Sequence, residues 1–144
     1  GKDALLSTLS SLFDEKYEEL TGLLTPEMTA MEQLLFLNRE LFHMIEDSIS
    51  LDLLARLYST QLTTNGEKHL LDHNRIYYKL LRKIIAKGQA EGQLSSRSNV
   101  NEMVKLYALC ERALLYDWCL CAGEYALTEY SAKVLPGFLS SFLP

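Results

Sequence analysis

Glu40 and His43 form an E-x-x-H pattern. In helical bundles this spacing can place a carboxylate and an imidazole on one face, toward a di-iron site. Such a site needs a second E-x-x-H and further inward carboxylates, and the pattern occurs once. His69 and His73 are four residues apart, which suits two metal ligands on a helix, but they flank Asp72, the expected N-cap of a helix. We therefore expect no metal site and no bound cofactor.

Three cysteines, Cys110, Cys119 and Cys121, lie on one predicted helix without a C-x-x-C pattern. Cys119 and Cys121 point in different directions along that helix and cannot readily pair. We expect reduced thiols that pack as small apolar side chains in a cytoplasmic compartment. The sequence also lacks the glycine-rich patterns of hydrolases and nucleotide-binding proteins. These observations predict that the chain is not an enzyme.

A further group combines aromatic rings with isolated polar groups on helix faces that should turn inward. These candidate ligand-binding residues are Asn38, Tyr58, Tyr77, Tyr107, Cys110 and Glu111. Taken singly, each is more often part of a packed core, but together they favour a mostly apolar pocket with a few polar groups. Two interpretations stay open for Asn38, which falls within an apolar face. Its amide bonds a neighbouring backbone or a water, or it lines a polar spot in a cavity.

Six helices must position these residues. The 144 residues, of which 48% are apolar, fit one domain over residues 1–144. Apolar residues recur at three-and-four spacing, and no alternating strand pattern occurs. The predicted helices cover residues 3–24, 26–47, 50–62, 72–89, 99–122 and 124–142. The sequence therefore predicts an all-α bundle of about six helices.

Proline, glycine and capping residues suggest where these helices begin and end. Thr25 and Pro26 are expected to open the second helix as its N-cap and first helical residue. Gly88 and Gly92 are expected to close the fourth helix. Pro136 lies inside the sixth helix and should kink or split it, because proline removes a backbone hydrogen bond.

The segment 99–122 differs from an ordinary surface helix because it is apolar on two sides. One stripe contains Met103, Tyr107, Cys110, Leu114, Trp118 and Cys121, and the other contains Leu106, Leu109, Ala113, Tyr116 and Leu120. A helix that is apolar on opposite sides must be covered on both. No apolar run is long enough to cross a membrane, so protein should provide the cover. A net charge of −5 argues against direct binding of nucleic acid.

Four segments occur in a specific order. They are GKDALL at 1–6, LLRKII at 80–85 followed by Gly88 and GQL at 92–94, ERALLYDW at 111–118 and VLPGFL at 134–139. In this order and spacing they resemble the C-terminal ligand-binding and dimerisation domain of the tetracycline-repressor (TetR) family of transcription regulators. The resemblance covers essentially the whole chain. Arg112 departs from it, because the family usually has a small residue near that position.

The resemblance implies a homodimer in which the last two helices pack against those of a second copy. Such an interface would provide the second cover that segment 99–122 requires. The interface residues expected on this basis are Arg112, Ala113, Tyr116, Trp118, Leu120, Leu127, Tyr130, Val134 and Phe138.

The resemblance also implies allosteric repression. A small apolar or amphipathic effector among the second, fourth and fifth helices would shift the first and fourth, and change the spacing of two helix-turn-helix DNA readers. The chain begins inside a predicted helix, so we expect DNA contact only through an N-terminal domain that is missing from this sequence. The alternative is a helical protein–protein interaction module that dimerises without a ligand.

Overall fold

The protein folds into α-helices joined by short loops in its computed structural model, which describes residues 2–66, 68–72 and 74–144. This part of the chain contains six α-helices and no strand, which confirms the predicted all-α class. The helices are α1 (Lys2–Thr21), α2 (Ala30–Ser48), α3 (Leu51–Thr63), α4 (Ile76–Ala90), α5 (Val100–Leu120) and α6 (Leu127–Phe138). Short 3₁₀ turns lie at His69–Leu71 and Ser140–Phe142.

Helix α2 begins at Ala30, so the predicted start at Thr25 and Pro26 is wrong. Thr29 is the N-cap, and its hydroxyl accepts a hydrogen bond from the backbone N–H of Glu32 at 3.1 Å. The Glu32 carboxylate accepts the N–H of Thr29 at 3.0 Å in return. This reciprocal pair satisfies two of the N–H groups that the first turn of α2 leaves without partners inside the helix.

Helix α4 begins at Ile76 with Arg75 as its N-cap, so the predicted cap at Asp72 is also wrong. The Asp72 carboxylate instead accepts the backbone N–H of Asn74 at 2.9 Å and forms a local turn. A short polar side chain bonds to backbone two residues on as readily as it caps a helix. Arg75 follows this turn directly, is partly buried and lines a cavity described below.

Helix α6 takes its N-terminal cap from another helix. Its own N-cap, Ala126, has no side-chain acceptor, but the Glu46 carboxylate of α2 accepts the backbone N–H groups of Leu127 at 2.9 Å and Thr128 at 2.7 Å. Pro136 lies in the last turn of α6, which ends at Phe138. The sixth helix, predicted to run to residue 142, thus ends two residues after the proline, and a separate 3₁₀ turn covers Ser140–Phe142.

Glycine allows α2 and α4 to approach closely. Gly88 lies inside α4 rather than at its end, and a Cβ there would stand 2.7 Å from the Cβ of Ala30 and 2.7 Å from Cδ1 of Leu94. Gly92 follows the helix with φ +73°, the left-handed conformation that suits glycine at a helix C-terminus. Helix α2 packs against α1, α4 and α6, and α5 packs against α3, α4 and α6, around one core.

Candidate functional site

A buried hydrogen-bond network links four helices around Glu111 of α5, which is 3% exposed. The hydroxyl of Tyr77 in α4 donates to Oε1 of Glu111 at 2.6 Å, and Nδ2 of Asn38 in α2 donates to Oε2 at 2.9 Å. The hydroxyl of Ser131 in α6 donates to Oδ1 of Asn38 at 2.7 Å. These four residues, called the polar network below, give every buried side-chain oxygen of Glu111 and Asn38 a donor.

Burial dominates the titration of this network. Burial raises the pKa of Glu111, although the hydrogen bonds from Tyr77 and Asn38 and the charge of Arg112 act in the opposite direction. Burial and the neighbouring Glu111 carboxylate also raise the pKa of Tyr77 well above its ordinary value. Tyr77 therefore keeps its proton and remains a donor. The network holds an acidic group in an apolar interior without a salt-bridge partner among the described residues.

A small cavity of about 50 Å³, called the chamber below, lies between α1, α2, α3, α4 and α5. Tyr77 and Glu111 form part of its wall, so one side of the polar network faces the chamber. The apolar wall includes Phe13, Tyr17, Leu41, Ile45, Leu54 and Leu57. The chamber can hold a few water molecules or a small chemical group.

A larger space of about 410 Å³, called the groove below, lies outside the chamber between α3, α5 and the 3₁₀ turn at His69–Leu71. Its lining is mainly apolar and includes Leu62, Leu71, Leu109, Ala113 and Tyr116. Three residues, Tyr58, Leu70 and Arg112, line both the groove and the chamber. The two spaces are therefore neighbours, and their combined size falls in the range of small-molecule pockets.

Two arginines contribute to the chamber wall. Arg112 donates to the hydroxyl of Tyr78 at 3.1 Å. Arg75 lies over the rings of Tyr77 and Tyr78 at 5.5 and 5.9 Å, and its Nε is buried without an acceptor. Neither guanidinium forms an ion pair within the ranges that the structure describes.

The structure brings together part of the predicted ligand-binding set. Tyr58, Tyr77 and Glu111 line the chamber. Asn38 does not line it but holds Glu111 from behind, so neither of the two interpretations of its amide is right. Tyr107 is fully buried, and its hydroxyl donates to the carbonyl of Leu34 at 2.7 Å.

Cys110 is likewise a core residue away from both spaces, and burial raises the pKa of its thiol. The sequence pattern predicts neither Arg75 nor Arg112 as a residue of the chamber wall. Arg112 was not predicted there because a charged residue at the edge of a helix stripe has the same spacing whether it faces water or a cavity. Nothing in the helical periodicity separates these two cases.

The predicted interface residues divide into two groups. Ala113, Tyr116, Leu120, Tyr130 and Phe138 are exposed, and Arg112 and Val134 are partly buried. Trp118 and Leu127 are buried in the chain's own core, so assigning them to an interface is wrong. Trp118 lies on the inner stripe of α5, and its Nε1 donates to the carbonyl of Tyr125 at 2.9 Å. Leu127 opens α6 directly beneath the Glu46 cap.

One predicted side of α5 remains without cover. Leu109, Tyr116 and Leu120 are 50%, 52% and 70% exposed, whereas the opposite stripe from Met103 to Trp118 is in the core. Exposed apolar side chains gathered on one helix face commonly mark an interaction surface. We call this set, together with Ala113, the outer stripe of α5.

The remaining residues to consider are the histidines with the spacing of metal ligands. His43 stands 3.2 Å from Asp47 on the surface of α2, and the ring of His69 lies 2.8 Å from the Ser10 hydroxyl. His73 lies outside the described residues. No group of three or more histidine, cysteine or acidic side chains that could hold a metal ion occurs where the structure is described.

None of the described helices is both long and apolar enough to cross a membrane. Comparison of the chain with protein-family models, with curated proteins and with solved structures finds no match. The resemblance to the TetR family therefore rests on the sequence motifs quoted above.

Proposed function

We propose that this domain binds a small amphipathic molecule in the chamber and groove, and acts as the sensing and dimerisation domain of a TetR-like transcription regulator. The observation that carries the proposal is the adjacency of the two spaces, with a buried polar network at the inner end and apolar walls at the outer end. A ligand of this type would place a polar group in the chamber and its apolar part in the groove.

The walls of the site suggest how binding would be relayed. Phe13 and Tyr17 belong to α1, and Tyr77 belongs to α4, the two helices that the family resemblance connects with an upstream DNA reader. A ligand between them shifts the equilibrium only if it binds one arrangement of α1 and α4 better than the other. The same proposal assigns the outer stripe of α5 and the exposed residues of α6 to a two-fold contact with a second copy. Because Leu109, Ala113 and Tyr116 of this stripe also line the groove, the second copy would close the outer side of the groove over the ligand.

Thermal unfolding in the presence of amphiphiles and planar aromatic compounds tests the ligand-binding part of the proposal. At least one class should raise the melting temperature, and Leu71→Gln at the edge of the groove should weaken that effect. Leu23→Gln is a matched control, because Leu23 is 51% exposed and Leu71 is 52% exposed, but Leu23 follows α1 and does not line the groove.

Absence of stabilisation by every class would favour the second candidate, a helical interaction module without a ligand. The outer stripe of α5 is the observation that supports this candidate, because Leu109, Tyr116 and Leu120 are exposed apolar side chains on one helix face.

A further inference from the structure

The acidic and basic side chains that line the chamber differ in whether their hydrogen-bonding atoms have partners. Glu111 supplies the carboxylate, and each of its oxygens already accepts a hydrogen bond from the polar network. Arg75 and Arg112 supply two guanidinium groups, and the buried Nε of Arg75 has no acceptor. The wall therefore has a buried hydrogen-bond donor without an acceptor. A ligand that brings an acceptor would remove the free-energy cost of leaving this donor unpaired.

Both guanidinium groups line the chamber, and both contact Tyr78. Arg112 bonds to its hydroxyl at 3.1 Å, and Arg75 lies 5.9 Å from the centre of its ring. Guanidinium groups bind carboxylates with paired hydrogen bonds, so a wall that carries two of them favours a planar anion. A ligand cation would meet like charges here, and Arg75 already occupies the ring faces of Tyr77 and Tyr78.

The acidic groups near this wall repel a bound anion only weakly. Burial raises the pKa of Glu111, which disfavours its negative charge. Asp14 of α1 has one carboxylate oxygen buried without a partner, and Asp72 precedes Arg75 in the chain, but neither side chain lines the chamber. Lys68 adds a further cation along the groove.

The sizes of the two spaces suggest the shape of the molecule. The chamber, at about 50 Å³, accommodates a small head group and the first carbons of a chain. The groove, at about 410 Å³, accommodates the remainder of a flexible alkyl chain along apolar side chains. Arg112 lines both spaces, so it stands where a head group and a chain would join.

We propose that the ligand is an alkyl carboxylate, with its head at Arg75 and Arg112 and its chain in the groove. This inference rests on the proposed ligand-binding function and specifies the chemical class of the ligand. It predicts that the site prefers an anionic amphiphile to a cationic or uncharged one.

Binding of three probes with the same chain length tests the inference by isothermal titration of the full chain, below the concentrations at which the probes form micelles. The probes are decanoate, decanol and decyltrimethylammonium. Decanoate should bind at least about tenfold more tightly than decanol, and the cation should bind more weakly than both.

Arg75→Gln and Arg112→Gln, made separately, should remove most of the preference for decanoate over decanol. The affinity for decanol should change little, because the apolar walls remain. Lys79→Gln removes an exposed cation from α4 and should leave all three affinities unchanged, which controls for the overall charge of the protein. Having two arginine variants keeps the test valid if one of them fails to fold.

The outcomes separate this inference from the proposed function. Equal affinity for decanoate and decanol, or tightest binding of the cation, would overturn the carboxylate assignment while leaving a ligand site. No binding of any of the three probes, together with no stabilisation by planar aromatic compounds, would overturn both. Preference for decanoate that survives in both arginine variants would also contradict the assignment.

Discussion

The hydroxyl of Tyr77 lies 2.6 Å from Oε1 of Glu111, and both side chains are buried between α4 and α5. Tyr77 and Glu111 therefore belong both to the buried interior of the bundle and to the wall of the chamber. Their contact places an acid in surroundings where its charged form is costly, which makes the stability of the protein depend on pH in a predictable direction.

Glu111→Gln tests that dependence. The folded state holds the Glu111 proton more tightly than the unfolded chain does, so the wild-type contribution is greatest below the ordinary pKa of 4.5 and is lost as pH rises through the folded pKa. The variant cannot ionise at this position. Its free energy of unfolding relative to the wild type should therefore increase with pH, measured by urea denaturation and the fluorescence of Trp118. Glu18→Gln, an exposed change in α1, controls for the loss of one acidic side chain from the protein. A relative stability that decreases with pH would contradict the direction assigned to Glu111.

Glu46→Gln should show the opposite dependence. Burial raises the pKa of Glu46, but the hydrogen bonds from Thr128 and Leu127 outweigh it and lower the pKa below the ordinary value of 4.5. Glu46 therefore stabilises the fold above that value, and this contribution is lost as pH falls through the folded pKa. The variant should lose about 1–2 kcal/mol at neutral pH, as expected for an N-terminal helix cap, and less in acid. Equal stability of the two proteins at neutral pH would show that α6 does not depend on this cap.

Gly88→Ala should destabilise the protein by about 1–3 kcal/mol, because the added methyl group would overlap Ala30 where α2 and α4 meet. Gly137→Ala is the matched control, since no atom lies within 4 Å of a Cβ at that helical position. It should be neutral or stabilising by up to about 1 kcal/mol, because alanine favours the helix. Urea denaturation measures both, and a Gly88 variant as stable as the Gly137 variant would mean that the helices separate at little cost.

Tyr116→Glu should convert a dimer into a monomer. It places a charge in the centre of the outer stripe of α5, where burial against a second copy would remove the charge from water. Multi-angle light scattering gives the mass directly. Leu23→Glu alters an equally exposed apolar residue outside α5 and α6 and should leave the mass unchanged. A Tyr116 variant that remains dimeric would exclude this stripe as the contact.

Local sequence pattern accounts for much of the fold. Apolar spacing predicts the six helices and the two stripes of α5, because each depends on residues three or four positions apart. It does not predict the Glu46 cap of α6 or the contact of Gly88 with Ala30, because these depend on how distant segments meet. The same limit explains Trp118 and Leu127, whose apolar character fits a core and an interface equally well.

The candidate site was predictable only in part, for a related reason. Tyr58, Tyr77 and Glu111 were found because aromatic and acidic residues on an inward face are unusual in a plain core. Arg75 was missed because its position depends on the turn at Asp72, and that turn was taken for a helix cap. A prediction of chamber residues from spacing alone therefore fails wherever a loop brings a charged side chain inward.

The polar network restricts which substitutions can accumulate at its four positions during evolution. Asn38, Tyr77, Glu111 and Ser131 each satisfy another member, so replacing one of them alone leaves a buried donor or acceptor without a partner. An apolar set of similar volume would remove that penalty only if several members changed together. In related sequences we therefore expect these positions on α2, α4, α5 and α6 to covary as one unit, although they are distant along the chain.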